Sequence, residues 1–253
     1  MLISPQHVEQ SESPLCKRQK LSVSLASGTS EIDECLALRY DVFAREMGAN
    51  LSSHREGLDE DHFDAYAKHL LIRDTESGAI VATTRLLNAR HATAAGSFYS
   101  ETEFNISNIL SMRANLMEVG RTCIAEPYRN GAALSLLWRG IVRITAMDNI
   151  DYLIGCVSLP CADDSAYANA IMNYMRQHHY ADDTFRVYPL HELPAGKTVS
   201  PEDVILPTLL KGYIRLGALA CGEPCYDADF QVADIFIAVP RDEIDKRFAR
   251  HMA

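Results

Sequence analysis

The sequence has no long apolar run. Its longest such stretches, at 205–210 and 235–240, are far shorter than the ~20 residues that a membrane-spanning helix needs. Residues 4–13 are largely polar where a secretory signal peptide would carry its apolar segment. We therefore expect a cytoplasmic protein without a membrane-spanning helix.

Basic residues are also scarce. The 253 residues include 24 Lys and Arg against 34 Asp and Glu, which gives a formal net charge of −10. A nucleic-acid coat needs a clustered basic surface, so this balance argues against nucleic-acid binding but permits a local basic patch. The hydrophobic content of 47% and charged content of 23% are ordinary for a globular chain and exclude disordered, collagen-like and coiled-coil classes.

Zinc-binding cysteine spacing is missing as well. The seven cysteines are an odd number in a chain much longer than a disulfide scaffold. Cys156 with Cys161, and Cys221 with Cys225, have neither C-x-x-C spacing nor a paired histidine motif. We expect no metal and interpret the cysteines as small, reduced core residues.

Periodic apolar positions predict alternating strands and helices. The predicted strands are 21–25, 69–72, 80–84, 116–124, 152–157, 185–190 and 233–239. The predicted helices begin near residues 30, 106, 132, 166, 206 and 241. This order indicates an α/β fold with one mixed sheet, antiparallel on one side and parallel on the other, and flanking helices. Residues 1–19 lack periodicity and are expected to form a flexible tail.

Glu118 and Arg121 are a candidate catalytic pair on the predicted strand 116–124. Residues three apart on a regular strand face opposite sides, but Gly120 lies between them and is a position for a β-bulge that re-aims a side chain. A carboxylate beside exposed backbone N–H groups suits a general base next to an oxyanion site. A surface ion pair is the alternative interpretation.

The segment 54–64 is strongly acidic, with five carboxylates and one arginine. Clustered carboxylates attract a cationic substrate and hold an ammonium group by charge-assisted hydrogen bonds. Arg39 and Phe43 lie on the preceding predicted helix and complete this candidate site. The EF-hand spacing of a calcium loop is absent. A solvated loop is the alternative.

A third candidate site opens the helix predicted at 132–147. Residues 129–133 read Arg-Asn-Gly-Ala-Ala. Backbone N–H groups at a helix N-terminus bind phosphate, an arginine adds charge, and small residues let a ligand approach the backbone. By itself this is a weak signal.

These three sites together resemble the GNAT acyltransferase superfamily, and most closely its acyl-carrier-protein-dependent N-acyltransferases. That branch contains ornithine-lipid acyltransferases, N-acyl amino acid synthases and acyl-homoserine-lactone synthases. The matching segments are 38–43 (LRYDVF), 59–64 (DEDHFD), 84–87 (TRLL), 118–121 (EVGR), 136–140 (LLWRG) and 206–218 (LPTLLKGYIRLGA). The last two resemble the ornithine-lipid enzymes in particular. The resemblance implies a single GNAT-like domain over 20–253, with a splayed pair of central strands and a probable insertion at 158–205.

The resemblance also implies roles for individual residues. Glu118 would be the base, with Arg121 beside it, and we add Tyr213 as the candidate proton donor to the leaving thiol. The implied substrate-binding residues are Arg39, Phe43, Asp59, Asp61, Asp64 and Arg85, in which the aspartates hold the amine and the arginines organise the cleft. The implied donor-binding residues are Thr122, Cys123, Arg129, Asn130, Gly131, Ala132 and Arg139.

The expected donor is an acyl chain on the phosphopantetheine of acyl carrier protein, with no resident cofactor. The helix-opening segment matches the superfamily's coenzyme A loop only in part, which fits a donor with one phosphate and leaves acyl-CoA possible. Residues 113–143 hold five arginines against two glutamates, a local reversal of charge suited to an acidic carrier protein. An ordinary amphipathic helix face is the alternative.

The implied reaction joins a (3-hydroxy) fatty acyl group to the α-amine of ornithine and gives a lyso-ornithine lipid. Another acceptor, such as glycine, glutamine, lysine or a homoserine derivative, is the enzymatic alternative. A carrier-binding regulatory protein is the non-enzymatic one. Because a long acyl product stays in the bilayer, we expect loose attachment to the inner membrane surface.

Overall fold

The computed structural model describes residues 20–161, 165–194, 205–244 and 246. The predicted tail at 1–19 and parts of the 158–205 segment lie outside these residues. The strands are β1 (Leu21–Leu25), β2 (Lys68–Asp74), β3 (Ile80–Asn88), β4 (Phe104–Asn105), β5 (Leu116–Ile124), β6 (Tyr152–Pro160), β7 (Tyr188–Pro189), β8 (Leu219–Ala220), β9 (Cys225–Asp227) and β10 (Val232–Pro240). The α-helices are α1 (Thr29–Tyr40), α2 (Ala89–Ala95), α3 (Ser107–Ser111), α4 (Ala132–Met147), α5 (Ala166–His178) and α6 (Thr208–Leu216).

Short helical turns connect these elements. A π-helical turn, Asp41–Glu46, continues α1 without a break. The 3₁₀ turns are His62–Ala65, Tyr99–Thr102, Glu126–Tyr128 and Asp183–Phe185. The strand predicted at 185–190 is therefore wrong for most of its length. Only β7 forms there, and its Pro189 has no N–H with which to extend a ladder.

Within the described residues, eight strands form one sheet in the order β1-β2-β3-β5-β6-β10-β8, with β9 also paired to β10. The pair β5–β6 is parallel, and every other neighbouring pair in this sheet is antiparallel. The predicted α/β class with a mixed sheet is confirmed. The expectation of a wholly parallel side is wrong, because only the α4 crossover joins two neighbouring strands that run in the same direction.

Alternation along the strands separates two hydrophobic cores, one on each face of the sheet. On β10, Ile235 and Ile237 pack on the face that α4, α5 and α6 cover, whereas Phe236 packs on the other face, with its ring 5.8 Å from that of Phe104. The same alternation places Asp234 on the Phe236 face. The strands thus bring selected polar side chains to one side of the sheet centre.

The central strands part where their pairing ends. β5 pairs with β6 only from Leu116 to Glu118, opposite Tyr152 to Ile154. Directly beyond, Gly155 lies so close to β5 that an added Cβ would sit 2.3 Å from the carbonyl oxygen of Val119. The predicted splayed pair is present. Because glycine has no side chain, the backbones of β5 and β6 can come into contact at the vertex of the fork.

Gly155→Ala is expected to lower the free energy of unfolding by about 1–3 kcal/mol, since the added methyl overlaps a backbone oxygen that cannot move away alone. Gly120→Ala is the matched control, because a Cβ at Gly120 meets nothing within 4 Å. Urea denaturation of both variants measures the difference. Equal midpoints would show that the vertex of the fork tolerates a side chain.

In the part of the chain that the structure describes, no helix combines the length and apolarity needed to traverse a lipid bilayer.

Candidate active site

A cavity of about 440 Å³ opens in the fork between β5 and β6. Its polar lining comprises Glu46, Arg85, Tyr99, Glu103, Glu118, Arg121, Thr122, Arg129, Ser158, Thr208, Tyr213, Asp227 and Asp234. Its apolar lining includes Val42, Phe43, Met47, Leu87, Val119, Leu134, Leu209, Phe230 and Val232. The cavity therefore offers both charged and apolar side chains to a ligand.

Glu118 is buried at the vertex of the fork, with 4% of its surface exposed. Its Oε2 accepts the backbone N–H of Tyr99 at 2.8 Å, and its Oε1 accepts the N–H of Ser100 at 2.8 Å and the Ser100 hydroxyl. Burial raises the pKa of Glu118 above its usual range, against the opposing effect of the Ser100 hydrogen bonds. A carboxylate held this way is positioned rigidly and accepts a proton more readily than an exposed one.

A β-bulge brings Arg121 to the same cavity as Glu118. The register between β3 and β5 shifts so that Thr84 alone lies opposite Arg121 and Thr122. Arg121 has a left-handed φ of 49°, which few residues with a side chain adopt. The predicted bulge is thus present, but its left-handed residue is Arg121 rather than Gly120.

The acidic segment forms a buried network with arginines. Arg39 donates to Asp59 at 2.7 Å and to both oxygens of Asp64 at 2.6 and 3.1 Å. Arg85 donates to Asp61 at 2.6 Å and to Asp64 at 3.1 Å. Although burial opposes ionisation, Arg39 and Arg85 hold the pKa of Asp64 well below its usual range.

Arg121 completes this network from the bulge. Its guanidinium lies 3.4 Å from Asp59 and 3.5 Å from Asp61. It also stacks between two rings, with its central carbon 4.7 Å from the centre of Tyr99 and 4.9 Å from that of Phe230. These contacts fix Arg121 at the cavity wall.

The network changes the interpretation of the acidic segment. Asp59, Asp61 and Asp64 do not line the cavity, and each already contacts an arginine. The geometry therefore gives these aspartates a structural role, in which they hold the arginines, rather than the expected contact with the substrate amine. Arg39 also lies outside the cavity, whereas Arg85 and Phe43 line it.

The start of α4 supplies the predicted donor-binding segment. Gly131 has a left-handed φ of 93°, and the Asn130 side chain accepts the N–H of Ala132 at 3.2 Å. Arg129 forms an ion pair with Glu46 and donates to the carbonyl of Ile124 at 2.9 Å. Of the predicted donor-binding set, the cavity lining contains Thr122, Cys123, Arg129 and Gly131 but not Asn130, Ala132 or Arg139.

Tyr213 lines the cavity from α6 and is almost wholly buried. Its ring packs edge-on against Trp138 of α4, with centroids 4.6 Å apart. Burial raises the pKa of Tyr213 above its usual range, so the phenol stays protonated.

The sequence of this chain is similar to those of known acyltransferases. Residues 38–139 match the model of the acetyltransferase (GNAT) domain. The chain is 34% identical to the L-ornithine N(alpha)-acyltransferase of Rhizobium meliloti (strain 1021), over 91% of this chain and 83% of that protein. It is 32% identical to the enzyme of the same name from Brucella abortus (strain 2308), over 90% of this chain and 87% of that protein.

The chain belongs to the L-ornithine N(alpha)-acyltransferase family. It is an N-acyltransferase. The fold agrees with this family membership. The N-acyl amino acid synthase FeeM from uncultured soil microbes has a TM-score of 0.54 at 13% identity, covering 93% of this chain and 99% of that one. The AHL synthase LasI has a TM-score of 0.53 at 12% identity, covering 88% of this chain and 91% of that one.

In this protein the basic residues of segment 113–143 do not form one continuous surface. Arg113 precedes β5 and Arg129 follows it, so the two lie about 25 Å or more apart along the strand. Arg121 is half-buried and faces the aspartates of the acidic segment. Only Arg139 and Arg143 share an exposed helix face, one turn apart on α4. The expected docking surface is therefore reduced to the outer face of α4 and the neighbouring Arg129.

Three further carboxylates line the cavity and were not predicted from the sequence: Glu103, Asp227 and Asp234. One signal was available. Asp234 interrupts the apolar run of β10, and a charge inside a central strand is costly unless it has a function or a partner. Glu103 and Asp227 lie in short turns and strands without periodicity, so no local pattern distinguishes them.

Proposed function

We propose that this protein transfers a fatty acyl group, 3-hydroxylated in its preferred form, from the thioester of acyl carrier protein to the α-amine of ornithine. The product would be a lyso-ornithine lipid. The observation that carries this proposal is the forked sheet with the carboxylate of Glu118 buried at its vertex. The names of the relatives support ornithine as the acceptor.

The fork suits a pantetheine arm. Beyond Glu118, β5 has no partner on its β6 side, so the backbone N–H and C=O groups that face the gap are available to amide groups of the donor. Thr122 and Cys123 line this part of the cavity, after the bulge. The thioester carbonyl would then lie near the backbone N–H groups of 121–123, which act as the oxyanion site.

The acyl chain needs apolar walls, and these come from residues that the sequence did not single out, apart from Phe43. They are Val42, Phe43, Leu209, Phe230 and Val232. The π-helical turn Asp41–Glu46 thus forms one side of the acyl site.

The reaction follows from these positions. The α-ammonium of ornithine transfers one proton to Glu118, directly or through water, and the free amine attacks the thioester carbon. A C–N bond forms and the oxyanion develops opposite the N–H groups of the bulged strand. The intermediate gives its second amine proton to solvent, to which Glu118 also returns the first, and the C–S bond breaks. Tyr213 supplies a proton to the departing thiolate and is later reprotonated from solvent.

The donor class is supported by the start of α4. Glu46 is already paired with Arg129, so this segment offers limited positive charge to a pyrophosphate. A single phosphate on the carrier protein's pantetheine makes a smaller demand, and Arg139 and Arg143 on the outer face of α4 complement an acidic carrier. The long acyl product would keep the enzyme near the inner membrane surface.

Reconstitution tests the proposal. The purified protein is incubated with 3-hydroxyacyl carrier protein, or with the matching acyl-CoA, and with ornithine, lysine, glutamine or glycine, and amides are detected by mass spectrometry. The expected result is an Nα-acylornithine, formed faster from the carrier-protein donor. Amide on another amino acid only would assign the protein to the N-acyl amino acid synthases. Thioester binding with no amide from any amine would support a carrier-binding regulator.

A further inference from the structure

Three carboxylates outside the arginine network meet at one wall of the cavity. Asp234 lies on β10, Asp227 ends the adjacent β9, and Glu103 follows the turn Tyr99–Thr102. One oxygen from each lies within 4.8 Å of the others. Glu103 and Asp234 are buried, and Asp227 is half-buried.

No arginine, lysine or histidine among the described residues forms an ion pair with these three carboxylates. Asp234 accepts the hydroxyl of Ser158 at 2.6 Å, and Asp227 accepts the N–H of Phe230 at 3.1 Å and of Asp229 at 2.9 Å. The Oε2 atom of Glu103 is buried and accepts no hydrogen bond, although only 7% of that residue is exposed. This contrasts with Asp59, Asp61 and Asp64, each of which contacts an arginine.

The buried carboxylates of the cluster repel one another. Burial, reinforced by repulsion from Asp234, raises the pKa of Glu103 to about 8. Burial also raises the pKa of Asp234 to about 6. Near neutral pH the free protein therefore keeps a proton on the cluster, and a bound cation would replace it.

The cluster is linked to Glu118 by a single turn. Glu118 accepts the N–H groups at the start of the turn Tyr99–Thr102, and Glu103 is the residue that follows it. Four residues of 3₁₀ helix span about 8 Å. The two amines of an extended ornithine are about 6 Å apart, given single bonds of about 1.5 Å. Since Glu118 and Glu103 also line one cavity, a diamine is of the right order of length to bridge them.

We propose that Glu103, Asp227 and Asp234 bind the side-chain ammonium of the acceptor and select a diamino acid over one with an apolar side chain. This inference rests on the proposed function, since it assigns a subsite for the acceptor named there. An ammonium offers three N–H donors to three carboxylates. When the side-chain ammonium is bound there, the α-amine of the acceptor points towards Glu118.

The cluster suits an ammonium group, since each carboxylate can accept one of its N–H groups in a charge-assisted hydrogen bond. The three oxygens lie within 4.8 Å of one another, so a single nitrogen about 2.8 Å from each can contact all three. The cluster also opens into the cavity that the acceptor must enter.

Calorimetry and kinetics with paired acceptors test the inference. Ornithine is compared with norvaline, which has a side chain of similar length without the terminal amine. We expect the wild type to favour ornithine at least 100-fold in affinity and in kcat/KM. Glu103→Gln and Asp234→Asn, which keep similar shapes, should weaken ornithine at least tenfold and leave norvaline within twofold. Asp229→Asn is the matched control, since it removes an exposed charge two residues from Asp227 without touching the cavity.

The outcomes are distinct. Loss of discrimination in the two cavity variants, with Asp229→Asn unchanged, supports the ammonium subsite. An equal loss for both acceptors would overturn it and give the cluster a structural or proton-transfer role. Binding of Mn²⁺ or Ca²⁺ that Asp234→Asn abolishes, without discrimination between amines, would overturn it in favour of a metal site. If the wild type acylates neither amine but still binds ornithine better than norvaline, the proposed function fails and the subsite stands.

Discussion

Glu118→Gln is expected to lower kcat by about 10²–10⁴-fold, the usual contribution of a positioned general base. A carboxamide cannot take the proton from the acceptor's ammonium. Its NH₂ group would also face an N–H of Tyr99 or Ser100, where the wild-type carboxylate accepts hydrogen bonds. The variant should therefore lose about 1–3 kcal/mol of stability as well.

Two further measurements separate the chemical effect from the structural one. Glu101→Gln is the matched control, because Glu101 accepts the N–H of Phe98 at 2.8 Å on the same turn but does not line the cavity. It should lose similar stability and keep kcat. Hydroxylamine, whose amine is neutral at pH 7, should react at nearly the wild-type rate with Glu118→Gln. No recovery with hydroxylamine, or a matching kcat loss in Glu101→Gln, would remove Glu118 from the role of base.

Arg39→Met is expected to lower the free energy of unfolding by about 3–5 kcal/mol, the cost of leaving a buried charge without its partner. Methionine fills much of the space of the arginine stem but leaves Asp59 without its 2.7 Å partner. Asp64 keeps the Arg85 guanidinium at 3.1 Å and the N–H of Asp61 at 2.9 Å. Urea denaturation at pH 7 measures the loss.

An exposed pair on the adjoining turn provides the comparison. Arg45 and Asp41 are 2.7 Å apart and largely exposed, so Arg45→Met should cost less than about 1 kcal/mol. The pH dependence gives a second check. Because the pKa of Asp64 is depressed in the folded state, its stabilisation is complete above about pH 4 and falls below that value. The deficit of Arg39→Met should therefore shrink in acid, and a deficit equal to that of Arg45→Met would show that the network is not stabilising.

The network of arginines and aspartates also holds two side chains of the cavity wall in place. Arg85 and Arg121 line the cavity, yet each is held from behind by aspartates of the acidic segment. The arginines of the cavity wall therefore lie near the fork, whereas the carboxylates of the Asp234 cluster lie at β9 and β10. An amino acid has the same two charges, and its carboxylate and its side-chain amine can be bound at different places.

Much of the fold could be predicted from local patterns. The apolar period of α4 and the alternation of β10 predict both elements and their buried faces, because these depend on residues only two to four positions apart. The match of 118–121 to known acyltransferases located Glu118, and the cavity contains it. Weakly patterned segments failed, as at 185–190, where Pro189 prevents a longer strand.

Local spacing in the sequence determined most of the order of helices and strands, and the resemblance of its motifs to known acyltransferases implied the forked pair of strands and the carboxylate of Glu118. Only the tertiary structure decided which acids are open to a substrate. Asp61 and Asp234 are equally acidic in sequence, but folding places Arg85 2.6 Å from Asp61, whereas Asp234 forms no ion pair with a basic side chain among the residues that the structure describes. Coulomb energy depends on distance and burial, and residues 20 or more positions apart acquire both only when the chain has folded.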